Sequence, residues 1–556
     1  MRKLLCFSLC FVLVLSLFAG CAQSETGYVP TGDALEDENA DISVTEAVIS
    51  GEQELTLVYY PNRSLHPYEC TDYTNRTILS LIYQSLFVVD DEYNVSPLLC
   101  ERYAVSDDMM TYTFYLQDAT FSDGTALTAQ HVVESYEQAM DSDVYEGRFH
   151  HVSEVYASYD GGVTFQLDTP YENFPILLDV PIIKVLPKED TQTGNDTADD
   201  GDGNTDPAAT EPEEEEDAQP LGTGPYYLED TASGKRLRRR TNWWCSPKMA
   251  VTASSITLVE AESTIQVRDA FEFEDVGLVC ADPGSDTYAD YRCDYELWDI
   301  DSGIFLYLGF NMASGEENED TEDSIFTDSA LRSAVTYAID REQIAADHYR
   351  GYGIPATLPA SPNSPYYDKT LAENYVYNSE LFAQAVTKAG VQGWQVDFLV
   401  NANDTMCLKV AKDIAAMLEA GGLVVNLIQW SSGNYDSAIA ARNYDMYLAQ
   451  TKLSANMDLS PYFYIYGSLS YGALDNDAAY ALCLESLENE GNYYNLHKLV
   501  MDNGYLCPIL FRSYAVYATR GLLSGLSPAR DNVFYYDLGT SIYDIQVPMD
   551  EADSDE

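Results

Sequence analysis

Residues 395–430 constrain the fold more than any other stretch. Gln395–Val400 reads as a strand, and Thr405–Ala420 sets Leu408, Ala411, Ile414, Ala415 and Leu418 on one helical face. Gly421-Gly422 stops that helix, and Leu423–Trp430 returns as a strand. This is a βαβ unit, and a further strand is expected at Tyr444–Leu448. A chain that contains it belongs to the α/β class.

The rest of the body agrees. Glu54–Tyr60 is an expected strand, ended by Pro61-Asn62. Thr77–Phe87 carries Ile78, Leu81, Ile82, Ser85 and Leu86 at helical spacing. Tyr112, Phe114 and Leu116 alternate as one face of a strand, and the turn Ser122-Asp123-Gly124 leads to a helix capped by Thr128 that runs to about Met140. Val163–Leu167 is another strand. Gly222-Thr223-Gly224-Pro225-Tyr226 reads as a tight turn entering a strand. It lacks the Lys-Ser/Thr of a phosphate loop. Asp328–Ile339 and Asp340–Arg350 are two successive helices, with Asp340 and Gln343 as an N-cap pair. No internal repeat is visible.

The ends and the charge limit the setting. Met1-Arg2-Lys3 precedes an apolar run, Leu4–Ala19, too short to span a bilayer comfortably. Residues 1–20 are therefore expected to be a secretory signal. Ala19-Gly20-Cys21 resembles a bacterial lipobox, which implies lipid on Cys21 and membrane attachment through it. Residues 21–50 are acidic and poor in aromatics, and are expected to form a flexible tether. The body, Gly51–Val547, has room for two or three domains, and residues 548–556 form an acidic tail. The net charge of −62 excludes nucleic acid as a partner, because phosphates need a basic surface. Part of that charge is local: thirteen acids and no base lie between Glu189 and Asp217, so 189–218 is expected to be a disordered insertion. Its acids lack the fixed alternation and closing Glu of a calcium loop. Of eleven cysteines, eight lie in the body and none forms a CxxC, so neither a zinc site nor a thioredoxin motif is indicated. Cys280 and Cys293 are either a disulfide or a pair of free thiols.

Four ordered segments resemble the family 5 extracellular solute-binding proteins, which include oligopeptide-, dipeptide- and nickel-binding members. The first is Leu65-His66-Pro67-Tyr68, Asn75 and Ile82–Phe87. The second runs from Asp107-Asp108 through Tyr112-Thr113-Phe114 and Phe121–Ala129 to Val132-Val133 and Ser135-Tyr136. The third is Gly222–Tyr226; the fourth joins Leu308–Asn311, Phe326-Thr327-Asp328, Leu331–Val335 and Tyr337–Arg341. The resemblance implies a periplasmic-binding-protein-like fold of two hinged lobes with an extra subdomain. Lobe I would comprise 51–89, 165–314 and 504–547, the subdomain 90–164, and lobe II 315–503. It also implies a monomer that captures a peptide or other small solute and docks on the permease subunits of an ABC transporter.

A peptide receptor needs an acid for the amino terminus, a base for the carboxylate and roomy aromatic pockets. The resemblance would place the acid at Ala455, with Asp458 three residues on. Candidate ligand-binding residues are Tyr68, Trp430, Lys452, Asn456, Asp458, Tyr471 and Arg512. For Tyr68, Trp430, Tyr471 and Arg512, plain packing competes with that role. His150-His151 could bind a metal, but there are six His in all and no second cluster nearby in sequence, so the pair reads as exposed and no metal or cofactor is expected. Trp243-Trp244 reads as structural. No GxSxG, HExxH or short Ser/His/Asp signature is present, so a binder is expected rather than an exported hydrolase. The alternatives are a sensory peptide-binding lipoprotein and a receptor for a non-peptide solute such as a nickel chelate or a sugar.

Overall fold

The computed structural model describes residues 54–145, 147–185, 219–245, 253–285, 287, 291–312, 324–464, 466–470, 476–522 and 530. The expected signal, Cys21, the tether, the acidic insertion, Tyr471 and the acidic tail lie outside them.

β1 (Glu54–Tyr59) starts the main sheet. Leu55, Leu57 and Tyr59 enter one core, while Val58 and the following Tyr60 enter another. A strand covered on both faces is central, which is why it is apolar almost throughout. α1 (Tyr73–Ile82) follows, capped by Asp72, whose carboxylate accepts the Asn75 amide. The helix stops at Ile82, five residues short of the Phe87 expected from spacing. The turn at Gly222–Gly224 takes over its carboxyl end: the Gly224 amide donates to the Ile82 carbonyl at 2.8 Å. A Cβ at Gly222 would lie 2.1 Å from that oxygen, and one at Gly224 2.6 Å. The two glycines are thus required by a close approach of backbone to backbone. Leu86 and Phe87 are buried beyond the helix end, so the apolar spacing persists although the helix does not.

The subdomain comprises β2 (Cys100–Val105), β3 (Thr111–Leu116), α2 (Ala129–Met140), β4 (Val152–Ala157) and β5 (Val163–Leu167). Its sheet is antiparallel in the order β2-β3-β5-β4. Thr128 caps α2 in a capping box completed by His131. Tyr136 of α2 meets Phe165 edge-on at 4.9 Å. Arg240 joins this subdomain to the glycine turn, donating to the carbonyls of Thr120, Phe121, Thr223 and Gly224. Trp243 donates to the Thr223 carbonyl and Trp244 to the Gln84 side chain.

The main sheet continues with β6 (Tyr226–Thr231), β7 (Gly234–Arg239), β8 (Ser255–Glu260), β9 (Leu278–Ala281) and β10 (Tyr295–Phe310). Then come β11 (Gln395–Asn401), α3 (Thr405–Ala420), β12 (Val424–Trp430), α4 (Ser432–Ala440) and β13 (Met446–Lys452). α5 (Asp477–Glu488), α6 (Tyr493–Asn503) and β14 (Cys507–Thr519) close the described chain. The strand order is β6-β7-β8-β1-β9-β14-β10-β13-β11-β12, and the two-residue strand Ile354–Pro355 pairs with β14.

Two lobes follow from this order. β9 pairs with β14 only over Ala515–Ala518, and β13 pairs with β10 only over Ile304–Phe310. The two half-sheets therefore share just the long antiparallel pair β10–β14, which slips register between Asp301 and Ile304. At that bulge Gly303 has φ +69°, and the Ser302 hydroxyl donates to the Arg512 carbonyl at 2.7 Å. Buried Asp301 accepts the Gly303 amide at 2.8 Å and the Tyr93 hydroxyl at 2.8 Å, together with the Ser361 hydroxyl. A bulge in two shared strands is a natural bending point. Beyond it, Leu306, Leu308, Phe310, Phe398, Ile414 and Leu418 form a core of their own. Buried Arg341 braces that half by donating to the carbonyls of Thr336, Ala356 and Pro508. Cys280 and Cys293 are free thiols, which decides between the two readings of that pair. No helix of the described residues is long and apolar enough to cross a membrane.

Candidate ligand-binding site

β11 runs parallel to both β12 and β13, so Asn401, Trp430 and Lys452 end at one edge of the sheet. In such sheets ligands sit outside the carboxyl ends of the strands. α3 begins at that edge, where Asp404 accepts the amides of Met406 and Cys407. Trp430 is 38% exposed there, although a large ring gains most when covered.

Ile304 pairs with Lys452 on one side and with Arg512 on the other. Directly opposed residues share a sheet face. Lys452 and Arg512 therefore project on the same side, about 10 Å apart across two strand spacings. Arg512 spans the bulge. Its guanidinium donates to Asp282 Oδ2 at 2.6 Å, just after β9, and to Gln450 Oε1 at 3.0 Å on β13. Gln450 in turn donates to Asp404 at 2.8 Å, which extends the connection to the start of α3.

The loop after β13 turns away from this edge. Ala455, Met457 and Leu459 are buried in the core, and Met457 takes φ +54°. Asn456 is buried, its side-chain oxygen accepting the Ser454 hydroxyl at 2.6 Å and its carbonyl accepting the Tyr493 hydroxyl. Asp458 is buried too. It accepts the Ser460 amide at 2.8 Å and hydroxyl at 2.6 Å, and it meets His150 Nε2 at 3.3 Å. Burial by itself would raise the Asp458 carboxyl; the hydrogen bond and charge of His150 outweigh it and hold the group at about 2.

The structure thus brings Lys452 and Arg512 to one sheet face, with Asn456 and Asp458 in the adjoining loop; Trp430 ends the same edge two strands beyond Lys452 and, through its pairing with Asn401, faces the other side of the sheet. Tyr68 lies elsewhere, buried in the first-lobe core, with its hydroxyl 2.7 Å from the Pro181 carbonyl and its ring edge-on to Tyr145. The histidine pair divides: His150 is exposed as expected, although it bridges to Ser460 and Asp458, whereas His151 is buried. Asp282 and Gln450 were not singled out in the sequence. Nothing local marks them, because their partner Arg512 is distant along the chain.

Fold and edge together define a two-lobed α/β receptor for a small solute. Residues 94–473 match the family of bacterial extracellular solute-binding proteins, family 5. The chain belongs to that family. It is 24% identical over 390 residues to the glutathione-binding protein GsiB of Escherichia coli O6:K15:H31, covering 66% of this chain and 68% of GsiB. Against GsiB of Escherichia coli O1:K1 the match is 25% and covers only 55% of that relative. Among solved structures, the ABC transporter substrate-binding protein CtaP of Listeria monocytogenes superposes with a TM-score of 0.68 at 19% identity, covering 88% of this chain and 98% of CtaP. NikA of Brucella suis, in complex with Fe(III)-EDTA, superposes at 0.65 with 17% identity, covering 87% and 99%. At these identities the structural likenesses establish the fold alone. Members of the family are extracytoplasmic solute-binding components of ABC importers, not enzymes.

Proposed function

We propose that this protein captures peptides between its two closing lobes and delivers them to a membrane permease while held at the membrane by lipid on Cys21. The observation that carries the ligand reading is the pair Lys452 and Arg512 on one sheet face at the carboxyl edge of the strands, with exposed Trp430 ending the same edge two strands beyond Lys452. Two neighbouring cationic donors suit a peptide's carboxylate and carbonyls. The glutathione-binding relatives point toward a short, acidic peptide.

The amino-terminal end is the less ordinary part. Ala455 offers no acid, and Asp458 is already engaged by Ser460 and His150. Peptides whose amine is blocked or modified therefore suit this site better than free ones. That same feature favours, as the second reading, a non-peptide anion such as a metal chelate.

Calorimetry of the soluble body against matched free and N-acetylated peptides, with product analysis, tests the proposal. Binding without turnover, tighter for the blocked series, is expected. Cleavage of the ligand would overturn the receptor role, and a flat response to every peptide would overturn the peptide assignment. For the anchor, Cys21→Ala should release the protein from the membrane fraction, and unchanged association would refute lipidation.

A further inference from the structure

Three side chains from two distant parts of the chain converge beside the loop after β13. His150 and His151 end the connection from α2 to β4, and Asp458 lies two residues before Ser460 in the loop after β13. One ligand-type atom from each lies within 4.8 Å of the other two. Two imidazoles and a carboxylate at that spacing form a set that borderline divalent metals accept, with positions left open for water or a further donor.

The surrounding bonds orient the set. His150 Nδ1 lies 2.6 Å from the Gly147 carbonyl, to which it can only donate, so Nε2 is the nitrogen left for a metal once its proton is given up. His151 Nδ1 lies 3.0 Å from Asp168 Oδ1, the carboxylate–histidine arrangement that accompanies metal-ligating imidazoles. His151 is 8% exposed, and its Nε2 is buried with no hydrogen-bond partner among the described residues. A buried ring nitrogen without a partner is costly, and protein folds seldom leave one without a reason. The Ser460 hydroxyl and amide on Asp458 fix that carboxylate in turn.

We infer that His150, His151 and Asp458 form a binding site for a divalent transition-metal ion of the zinc or nickel class. The ion would pin the loop before β4 to the loop after β13, joining the subdomain to the second half of the main sheet. On binding, His150 releases any proton held at Nε2, and its contact with Asp458 is replaced by shared coordination. This site is separate from the strand edge proposed for the solute, so each can fail without the other.

The test is calorimetric titration of the full chain, first stripped with chelator, using zinc chloride and then nickel chloride. Excess calcium is present throughout to occupy the many surface acids. One tight site is expected. His151→Ala and His150→Ala should each abolish it, and Asp168→Asn should weaken it about 10- to 100-fold by freeing the His151 ring. Melting curves in chelator separate misfolding from ligand loss: His151→Gln should melt like the parent there, yet lose the rise in melting temperature that zinc gives the parent. No calcium-resistant site, or equal binding in His150→Ala and His151→Ala proteins that melt normally, would overturn the inference.

Discussion

His497 shows how one buried side chain can set the acid limit of this protein. It lies on α6, fully buried, and neither ring nitrogen has a hydrogen-bond partner among the described residues. Burial pushes its pKa down to about 3 from an ordinary 6.5. Below pH 6.5 the unfolded chain gains a proton that the folded chain refuses, so folding stability falls as pH drops toward 3. This group contributes at most about 1.4 kcal/mol per pH unit to that slope. His497→Leu removes the titration and leaves no orphaned nitrogen. Its stability at pH 7 should match or exceed the parent's. Urea melts at pH 7, 5.5 and 4 should show the parent losing ground to the variant at each step; parallel curves would refute the assignment. Nothing near His497 in the sequence announced this. A histidine between Leu496 and Lys498 looks like any helical surface residue until its neighbours are placed.

At the scale of elements, the sequence was most readable where one element decides its own fate. β11, α3 and β12 form where periodicity and the Gly421-Gly422 stop put them, and Thr128 caps α2 as its position implied. It was least readable where another element intervenes. α1 ends early because residues 222–224, far along the chain, supply the partner for its last carbonyl, that of Ile82. Likewise the candidate edge needed the sheet order: Lys452 and Arg512 become neighbours only because β10 lies between β13 and β14. Two glycines test this contrast. Gly222→Ala puts a methyl 2.1 Å from the Ile82 carbonyl, where only backbone movement can make room. A loss of at least about 1–3 kcal/mol in denaturant melts is expected. Gly433 sits in α4, and a methyl added there would meet nothing within 4 Å, so Gly433→Ala should instead gain about 0.4–1 kcal/mol. Equal effects at the two sites would mean that the helix end is not held by the turn.

For the whole molecule, the decisive feature is that two half-sheets share β10 and β14 and are joined further by polar links between side chains of the two halves. Arg512 is such a link, because its one guanidinium holds Asp282 in the first half and Gln450 in the second. It can make both bonds only while the halves keep this relation, so it stabilises that arrangement over a more open one. Hydrogen bonds to charged groups contribute about 1.5–3 kcal/mol each. Losing one that exists in a single state shifts the open–closed ratio by about ten- to a hundred-fold. Arg512→Ala should therefore open the unliganded protein, seen as a larger radius of gyration in solution scattering. Arg512→Lys, with a point charge in place of a fork, should keep the Asp282 contact and lose the Gln450 one, giving an intermediate value. Ligand affinity alone would not separate hinge from contact, since Arg512 is also a candidate to meet the solute. Scattering without ligand does separate them. An Arg512→Ala protein that stays as compact as the parent, yet binds its solute more weakly, would make Arg512 a ligand contact and not a latch between the lobes.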